Sequence, residues 1–330
     1  MNILLTGGAG YIGSASLRWL LRHGHDAVAY DNMCEGNARA VPADRLVEGD
    51  ILDTDCLAAV LKDRRIDAVM HFAALASVPL SIRDPESYWR TNVAGTKSVL
   101  DAMRAAGVPR IVFSSTAATY AFAVEMPIRE TTPQLPETPY GTTKLAAERL
   151  IRDYARAYDL GYTILRYFNA SGADPDGQYG ESRHAEGHII PLTLMVAVGR
   201  RAKLKIFGGD WDTRDGTCVR DYVHTDDLAL AHQLAVEGLE PGVGRAYNLG
   251  SGTGTTIKEV LRACERTVGR PIAHEIVERR PGDPATLIAT PELIARELGW
   301  KPRYDTIEAI VETAWRWHES HPDGYGPGGG

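Results

Sequence analysis

The amino-acid sequence predicts an α/β fold, a doubly wound parallel sheet with helices on both faces. The first observation is that short apolar runs alternate with helical patterns through the first half of the chain. The second is a glycine-rich turn between the first apolar run and the first helix. Because parallel strands are joined by long right-handed crossovers, this alternation favours parallel over antiparallel pairing.

In the first half of the chain, the predicted strands are short, apolar and bounded by turn residues. They are Asn2–Thr6, Ala27–Tyr30, Arg45–Glu48, Ala68–Phe72, Ile111–Ser114 and Tyr162–Arg166. The segments between them place apolar residues on one helix face. The helices predicted there are Tyr11–His23, Thr54–Lys62, Pro85–Ala106 and Pro139–Tyr158.

After about residue 167 the pattern loosens, and we expect a smaller mixed α/β C-terminal lobe. Residues 169–187 are rich in Gly, Asp, Ser and Glu and predict a long surface loop. Later helices are predicted at Ile190–Arg200, Thr225–Glu237, Thr256–Val268 and Thr306–Glu319. We expect residues 1–167 to form the core of one domain, to which later segments return. Residues 168–323 should form mainly the second lobe, and residues 324–330 a disordered tail.

The composition disfavours several classes of partner. The net charge of −7, from 43 acidic and 36 basic residues, argues against binding to nucleic acid or an acidic membrane surface. The most apolar long stretch, Ile189–Gly199, is too short to span a bilayer, and the first strand begins too close to Met1 for a secretory signal. The four cysteines lack the spacing of a zinc site. We therefore expect a cytoplasmic protein with reduced thiols and no metal.

A dinucleotide-binding site is predicted at the amino terminus. Gly7, Gly10 and Gly13 follow the first strand, where glycines let the backbone approach a pyrophosphate that helix N–H groups can bind. Asp31 ends the second strand, 18 residues after Gly13, where a carboxylate accepts from the adenosine ribose and repels a 2′-phosphate. The fold is thus of the Rossmann type, and NAD is favoured over NADP. Each feature alone also fits a tight strand–helix turn or a solvated carboxylate.

Further polar and small residues fall at the carboxyl edge of the predicted sheet. Asp50 follows the third strand, where a carboxylate can hold the adenine amino group. The run Phe72-Ala73-Ala74 and the side chain of Asn92 fall where the chain would pass the cofactor diphosphate. Ligands of open parallel sheets bind at this edge, so these residues extend the predicted cofactor site.

Tyr140 and Lys144 form the most informative pair in the sequence. They lie one turn apart on the same face of a predicted helix that begins at Pro139, with Thr138 as its cap. A neighbouring cation favours the phenolate form of a tyrosine, and a phenolate can remove the proton of a sugar hydroxyl. The spacing is common by chance, and a packed or solvated pair is the alternative when it stands alone.

In combination, these motifs resemble the extended short-chain dehydrogenase/reductase family, and within it the UDP-glucose (UDP-galactose) 4-epimerases. The resemblance covers residue 2 to about residue 323. It is carried by the motifs GGAGYIGS, HFAA, TNVAGT, FSSTAATY, YGTTK, LRYFNASGA, IFGGDWDTRDGTCVRDYVH, YNLGSG and RPGDPA. It implies NAD as cofactor, a UDP-sugar as substrate and, because family members are often dimers through paired helices, a homodimer.

The resemblance assigns roles to individual residues. It makes Tyr140 the acid/base, Lys144 the residue that holds the nicotinamide ribose, and Thr116, rather than the neighbouring Ser115, the hydroxyl on the reacting sugar oxygen. The implied cofactor contacts are Gly7, Gly10, Tyr11, Ile12, Gly13, Asp31, Asn32, Asp50, Ile51, Phe72, Ala73, Ala74, Asn92, Ser114, Tyr140, Lys144 and Tyr167. The implied substrate contacts are Thr116, Tyr140, Asn169, His188, Ile189, Ile206, Phe207, Arg220, Arg280, Asp283 and Leu287.

The implied reaction transiently oxidises the sugar at C4, lets the 4-keto sugar turn and reduces it from the other face. A 4,6-dehydratase is a poorer fit, because Ala117 and Ala118 stand where that enzyme needs an acid and a base. A reductase is harder to exclude. A non-catalytic NAD-sensing protein would be expected to lose Tyr140, Lys144 or Thr116, and all three are present.

The identity of the sugar stays open at this point. The stretch Ser77-Val-Pro-Leu-Ser81, with Ala76 before it, and the stretch Ala121-Phe122-Ala123 depart from the turns of many UDP-glucose epimerases. UDP-glucuronate and UDP-N-acetylglucosamine are therefore alternative substrates. Arg83 or Arg183 would suit a sugar carboxylate, although solvated surface charges are the simpler expectation for both.

Overall fold

The computed structural model describes residues 1–120, 125–183, 186–280 and 283–326. Numbered in chain order, its strands are β1 Asn2–Thr6, β2 Asp26–Asp31, β3 Leu46–Glu48, β4 Ala68–His71, β5 Arg110–Thr116, β6 Gly161–Tyr167, β7 Asn169–Ser171, β8 Leu204–Phe207, β9 Val219–Arg220, β10 Tyr222–His224, β11 Gly244–Leu249, β12 Thr255–Thr256, β13 His274–Val277 and β14 Thr286–Leu287.

The α-helices of the described residues range from 4 to 20 residues in length. They are α1 Tyr11–Arg22, α2 Thr54–Asp63, α3 Val78–Arg83, α4 Pro85–Tyr88, α5 Gly95–Ala106, α6 Pro139–Tyr158, α7 Ile189–Ala197, α8 Thr225–Glu237, α9 Ile257–Val268, α10 Glu292–Leu298 and α11 Ile307–Ser320. Short 3₁₀ turns occur at Ala38–Ala40, Ala43–Arg45 and Ala117–Thr119, and a π-helical segment, Trp89–Ala94, joins α4 to α5.

A seven-stranded sheet in the order β11-β6-β5-β4-β1-β2-β3 forms the centre of the molecule, and every neighbouring pair is parallel. Successive side chains of β1 point to opposite faces, as the strand period requires. Leu5 packs with α1 and α8 on one face, while Leu4 packs with α2, α5 and α6 on the other. The predicted doubly wound, Rossmann-type sheet is confirmed. Strand β11 comes from late in the chain and lies at one edge of this sheet.

The sheet places the predicted catalytic residues near one another. Thr116 is the last residue of β5, and Tyr140 is the second residue of α6. Helix α6 begins as the sequence predicts, because Pro139 occupies its first turn and the Thr138 hydroxyl accepts a hydrogen bond from the N–H of Gly141 at 3.2 Å. Its observed bounds equal the predicted ones.

The single helix predicted for residues 85–106 is wrong in detail. The chain there runs through α4, the π-helical segment Trp89–Ala94 and α5, and it is preceded by α3, which the sequence analysis missed. A π-helical turn differs from an α-helical one in backbone hydrogen bonding rather than in polarity pattern, so side-chain periodicity does not reveal it.

The surface loop predicted for residues 169–187 is also wrong. Residues 169–171 form β7, and Ala173 and Tyr179 are almost fully buried. The glycines that made the stretch resemble a loop permit close packing instead, since a Cβ on Gly180 would collide with the ring of Trp317 and one on Gly172 with the ring of His224.

The later segments form smaller sheets around a second core. Strand β10 pairs with β7, β9 lies between β12 and β14, and β13 pairs with β8. The second core is built from α7, α9 and α11, with Leu194, Val260 and Val311 at its centre. The predicted mixed α/β lobe is thus observed, while the proposed boundary near residue 167 stays a prediction.

The carboxyl terminus is partly packed against the protein. The N–H of Gly180 donates to the Tyr325 hydroxyl at 3.3 Å, and the Tyr325 ring lies 4.8 Å from that of Trp317. The expected disordered tail is therefore wrong for residues 324–326, because Tyr325 supplies an aromatic anchor, and residues 327–330 lie outside the described part of the chain. In the part that is described, no helix combines the length and apolar character needed to cross a membrane.

Candidate active site

The glycine-rich turn packs too closely for other residues. Gly7 has φ +69°, and a Cβ there would lie 2.5 Å from the backbone nitrogen of Ala73. A Cβ on Gly13 would collide with the carbonyl oxygen of Gly7. Gly10 caps α1 without a side chain, so the first N–H groups of the helix receive no side-chain partner. This turn fits a diphosphate, which helix N-termini bind through such groups.

The residues predicted to contact adenosine lie at the ends of β2 and β3. Asp31 is 7% exposed, and its carboxylate accepts from the N–H groups of Ala9 and Met33, each at 2.9 Å. Burial raises the pKa of Asp31, although the two N–H groups lower it. Farther out, the amide of Asn32 donates to the exposed Asp50 carboxylate at 3.1 Å. Each Asp31 oxygen keeps a lone pair for a ribose hydroxyl.

The other predicted cofactor contacts near this turn make hydrogen bonds or packing contacts within the protein. Phe72 and Ala73 donate their N–H groups to the Thr6 carbonyl at 2.9 and 3.0 Å. The Tyr11 hydroxyl donates to the Gly172 carbonyl at 2.5 Å, which ties α1 to the buried segment after β7. Ile51 is buried in the sheet core. These contacts hold the walls of the cleft in place.

Thr116 and Ser115 point to opposite sides of β5, which separates their roles. The Tyr140 phenol lies close enough to the Thr116 hydroxyl for that hydroxyl to lower its pKa. The Ser115 hydroxyl instead donates to Glu148 at 2.6 Å, behind the site. Because successive residues of a strand face opposite ways, only Thr116 can meet a ligand beside Tyr140. The geometry therefore favours Thr116, the residue that the sequence resemblance selects.

The electrostatic environment of Tyr140 differs from the sequence expectation. Burial raises the pKa of Tyr140, whereas the Thr116 hydroxyl and the charge of Arg183 lower it, and burial prevails. Lys144 is not among the groups that lower it, so the expected depression of the tyrosine pKa by Lys144 is wrong for the protein alone. The physical reason is that burial disfavours the charged phenolate more than the Thr116 hydroxyl and the charge of Arg183 favour it.

Lys144 has a buried side chain whose ammonium group lacks a hydrogen-bond acceptor among the described residues. It is 3% exposed, and burial lowers its pKa to about 7, although the carboxylate of Glu148 raises it. Among the residues that the structure describes, its Nζ makes no hydrogen bond or ion pair, and its nearest stabilising group is the ring of Phe113, whose centroid lies 4.3 Å away. A buried cation without acceptors is unfavourable. A ribose hydroxyl would supply the missing acceptor, so this residue fits NAD.

Behind the site, an ion-pair network joins α6 to the strands. Arg166 of β6 donates to both oxygens of Glu148, at 2.9 and 2.6 Å, and also to Tyr120 at 2.6 Å and Gln134 at 3.1 Å. Although burial raises it, these bonds hold the pKa of Glu148 below its ordinary value. Because Ser115 also donates to Glu148, the network fixes α6, and hence Tyr140, relative to the end of β5.

The side chain of Asn92, a predicted cofactor contact, makes its hydrogen bonds within the protein. Its Oδ1 accepts from the N–H of Leu75 at 2.9 Å, and its Nδ2 donates to the Leu75 carbonyl and to the Thr143 hydroxyl, each at 3.1 Å. Thr143 in turn donates to the Tyr140 carbonyl at 2.9 Å. The π-helical segment thus supports the first turn of α6, and both Asn92 donors are already used.

Ser114 and Tyr167 lie on the opposite face, with His232 of α8. Nδ1–H of His232 donates to the Leu228 carbonyl at 2.8 Å, so its Nε2 accepts from the Ser114 hydroxyl at 2.9 Å. Ser114 lies close enough to the Tyr167 phenol to lower its pKa, and the Phe72 ring lies 4.6 Å from that of His232. His232 escaped the sequence analysis because nothing in the pattern of α8 links it to β5.

Several predicted substrate residues converge around β9. Leu287 of β14 pairs with Arg220 of β9, and an Arg220 nitrogen lies 4.0 Å from a carboxylate oxygen of Asp283. Leu287 packs on the cluster that contains Ala117, next to Thr116. Asn169 uses one amide hydrogen on the Asp221 carbonyl at 2.7 Å. These residues therefore approach the reactive centre from the second lobe.

A second group of predicted substrate residues lies around β8. The guanidinium of Arg280 stacks on the Phe207 ring at 3.9 Å, whereas Ile206 is 1% exposed and belongs to the second core. Ile206 is thus placed to support Phe207 from behind rather than to meet a ligand with its side chain. Pro281 and Gly282 of the RPGDPA motif, like His184 and the stretch Ala121-Phe122-Ala123, lie outside the described residues.

A charged cluster beside the site was misjudged from the sequence. Arg183, expected to be a solvated charge, donates to Glu181 at 2.6 Å, and Nδ1 of His188 lies 2.7 Å from the same carboxylate. Despite burial, which raises it, these neighbours lower the pKa of Glu181 to about 2. Ile189 begins α7 directly after His188. Arg83, in contrast, is exposed.

The same cluster contains potential metal ligands. Glu181, Glu186 and His188 bring ligand atoms within 4.8 Å of one another. Arg183 and His188 already neutralise Glu181, and a Glu186 oxygen accepts from the N–H groups of Gly187 and His188 at 2.8 Å. Although Nδ1 of His188 makes no hydrogen bond among the described residues, it lies 2.7 Å from Glu181 and both carboxylates have partners in the protein, so we assign no metal to this cluster.

The fold, the glycine turn and the Tyr140–Thr116–Lys144 arrangement can now be compared with known proteins. Residues 3–250 match the NAD dependent epimerase/dehydratase family. The chain belongs to this family. It is 48% identical to the UDP-glucose 4-epimerase of Halalkalibacterium halodurans over 98% of both chains. The family expected from the sequence is therefore confirmed.

Solved structures of family members agree with this assignment. UDP-glucose 4-epimerase from Brucella ovis in complex with NAD is 46% identical, with a TM-score of 0.92 over 95% of this chain and 97% of that one. The enzyme from Bifidobacterium longum in complex with NAD⁺ and UDP is 35% identical, with a TM-score of 0.92 over 98% of this chain and 100% of that one. The predicted NAD cofactor and epimerase activity accord with these relatives.

Proposed function

We propose that this protein is an NAD-dependent UDP-glucose 4-epimerase that interconverts UDP-glucose and UDP-galactose. The observation that carries the proposal is the placement of the Tyr140 phenol against the Thr116 hydroxyl, with the buried Lys144 one turn away. The nearly full-length similarity to UDP-glucose 4-epimerases supports the substrate.

The residues would divide the chemistry between them. NAD, when bound, accepts the hydride from C4 of the sugar and returns it. Tyr140, as the phenolate, would remove the proton of the C4 hydroxyl and return it to the C4 oxygen once the keto sugar has turned and been reduced at the opposite face of C4, while Thr116 holds the reacting oxygen. Burial raises the pKa of Tyr140, so the phenol prevails in the protein without NAD, and the phenolate that accepts the proton would form in the complex. Lys144 would hold the nicotinamide ribose. Its ammonium charge favours proton removal by Tyr140 once a hydroxyl of that ribose bridges the two side chains.

The proposed binding of UDP uses residues away from the reacting carbon. Arg220 and Arg280 have the planar guanidinium groups suited to phosphate, and Asp283 has the carboxylate suited to a ribose hydroxyl. Phe207 offers a ring face for the base. Tight binding of the non-reacting nucleotide can position C4 while leaving the sugar free to turn.

UDP-glucuronate is the second candidate substrate. The specific observation in its favour is Arg183, whose charge lowers the pKa of both Tyr140 and Tyr167, although its Nε–H donates to Glu181. UDP-N-acetylglucosamine, a third alternative, depends on the space beside Leu287. The dehydratase alternative fits less well, because Ala117 and Ala118 follow Thr116 and offer no acid or base.

The test is incubation of the purified protein with UDP-glucose, UDP-N-acetylglucosamine and UDP-glucuronate in parallel, followed by chromatography. We expect UDP-galactose from the first substrate, without net consumption of NADH. Conversion of UDP-glucuronate alone would replace the proposed substrate. Net NADH consumption would indicate a reductase, and nucleotide binding without any turnover would indicate a sensing protein.

We also propose a homodimer in the cytoplasm. The predicted helices Pro85–Ala106 and Pro139–Tyr158 are the candidates for pairing between subunits. Trp89 in the first and Tyr158 at the end of the second are 45% and 52% exposed. Large exposed aromatic side chains are typical of interfaces. All four cysteines are free, which suits a reducing compartment. Light scattering should show a dimer that Trp89→Glu dissociates, whereas the matched variant Ile276→Glu, at a residue 51% exposed in the second lobe, should remain dimeric.

A further inference from the structure

The Phe113 ring lies directly beneath the ammonium of Lys144. The Nζ atom is 4.3 Å from the ring centroid, well within the range of a cation–π interaction. Phe113 is 1% exposed and Lys144 is 3% exposed. Removal of water strengthens the attraction between a cation and the negative face of an aromatic ring, so this contact is stronger than the same pair at a surface.

The other groups around Lys144 make no hydrogen bond or ion pair with it among the described residues, although the charge of Glu148 raises its pKa. Glu148 follows one turn later on α6, but Arg166 and Ser115 occupy its carboxylate. Tyr140 precedes Lys144 by one turn, and burial raises the pKa of that phenol, so it is neutral. From α5 and the π-helical segment come Thr96 and Asn92, which carry no charge.

His71 of β4 lies behind Phe113 and is also neutral. The Thr96 hydroxyl donates to the Asn92 carbonyl at 2.6 Å, so it accepts from Nε2–H of His71 at 2.9 Å. Nδ1 of His71 must then accept from the Thr6 hydroxyl at 2.6 Å. Burial and the charge of Lys144 together lower the pKa of His71 to about 3, so the imidazole adds no second cation.

We propose that Phe113 is a positioning residue, whose ring holds Lys144 in its ammonium form at the cofactor edge of the active site. Burial favours the neutral amine, and the ring face opposes this tendency at the point where a ribose hydroxyl would be met. Only the expected effect of Phe113 on catalysis rests on the proposed function. The ring–ammonium contact itself can be tested without turnover.

The direct test replaces Phe113 with 4-fluoro-, 3,5-difluoro- and 3,4,5-trifluorophenylalanine. Fluorine withdraws electron density from the ring face while nearly preserving its shape, so the fold should be retained where Phe113→Leu risks a loss of packing. The chain has seven lysines, which permits ¹³C NMR titration of the ε-carbons in NAD-loaded protein. The Lys144 signal is assigned by its absence in Lys144→Arg.

We expect the Lys144 pKa to fall stepwise with fluorination, by about 0.5–1 pH unit for the trifluoro ring. The alkaline limb of the pH profile for single-turnover oxidation of substrate should move down equally. Phe168 is the matched control, since it is buried, and among the described residues no cation lies over its ring. The same fluorinated series at Phe168 should leave the Lys144 titration unchanged.

Two outcomes would overturn the proposal. One is a Lys144 titration that does not respond to fluorination at Phe113 while the melting temperature stays constant. The other is an equal response to fluorination at Phe168, which would indicate a general effect on the fold. If the NMR response is present but no UDP-sugar is converted, the proposed function fails while the ring–ammonium contact stands.

Discussion

The two halves of the cleft are built in different ways. The half proposed to hold NAD is closely packed: Gly7 touches Ala73, Asp31 is held by two backbone N–H groups, and α6 is fixed to β5 through Glu148. The half proposed to hold the nucleotide sugar is looser. There, Arg220 lies 4.0 Å from Asp283, and Arg280 stacks on Phe207.

The difference shows which interactions the protein completes by itself. On the cofactor side, most polar groups already have partners, and Lys144 stands out by having none among the described residues. On the sugar side, Arg220 donates to the Val219 carbonyl at 2.9 Å but lies 4.0 Å from Asp283. Arg280 stacks on Phe207, so both guanidinium groups keep donors for a phosphate. A cofactor that is regenerated in each turnover suits a preformed site. A substrate that must enter and leave suits a site completed on binding.

The largest expected effect is on chemistry alone. Tyr140→Phe should lower the epimerisation rate by about 10²–10⁴-fold, because the phenol oxygen that moves the proton is lost. UDP affinity, measured by calorimetry, should change little, since the nucleotide is held from the second lobe. Activity close to that of the unmodified protein would refute Tyr140 as the acid/base and with it the distinction between the two halves.

The next largest effect concerns the closely packed half of the cleft, which is proposed to hold NAD. Glu148→Leu leaves the buried Arg166 without its carboxylate and should lower the free energy of unfolding by about 3–5 kcal/mol, measured by chemical denaturation. The double variant Glu148→Leu, Arg166→Met should recover much of this loss, since no charge is left buried.

An exposed ion pair provides the control for that experiment. Arg266 and Glu308 are 59% and 47% exposed, and Glu308→Gln should cost no more than about 1 kcal/mol. A similar cost for Glu148→Leu would show that the network behind Tyr140 is not a principal support of the cofactor half.

A smaller effect separates the two ligands. Asp31→Ala removes a charged acceptor for ribose hydroxyls and should weaken NAD binding by about 10–100-fold. UDP binding should be unaffected, because Asp31 lies at the end of β2 and not in the second lobe. Fluorescence titration with each ligand measures both constants, and equal weakening of the two would place Asp31 away from the cofactor.

The smallest effect lies where the halves meet. The charge of Arg183 lowers the pKa of Tyr140, so Arg183→Gln should raise that pKa further and move the acidic limb of the pH–rate profile up by about half a pH unit. Arg183→Lys should largely retain the position of this limb. Arg83→Gln, on the exposed side of α3, is the control and should leave the profile unchanged; a downward shift with Arg183→Gln would contradict the assigned sign.

Local patterns explain which parts could be read from the sequence. The strands of the central sheet are apolar runs, and α6 carries both its cap, Thr138, and its first-turn proline, so their positions follow from nearby residues. The π-helical segment could not be found this way, because its residues keep a helical polarity pattern. The burial of residues 169–183 depends on Trp317 and Tyr325, which are far away in the chain.

The sequence by itself determined the parallel sheet, the glycine turn and the pairing of Tyr140 with Lys144 on one helix face, because each follows from short-range geometry. Only the tertiary structure decided the charges of these groups. Burial raises the pKa of Tyr140 and lowers that of Lys144. Thr116 and Arg183, from distant segments, oppose burial at Tyr140, whereas Glu148, one turn along α6, opposes it at Lys144. Desolvation depends on everything packed around a group, so spacing along the chain cannot reveal it.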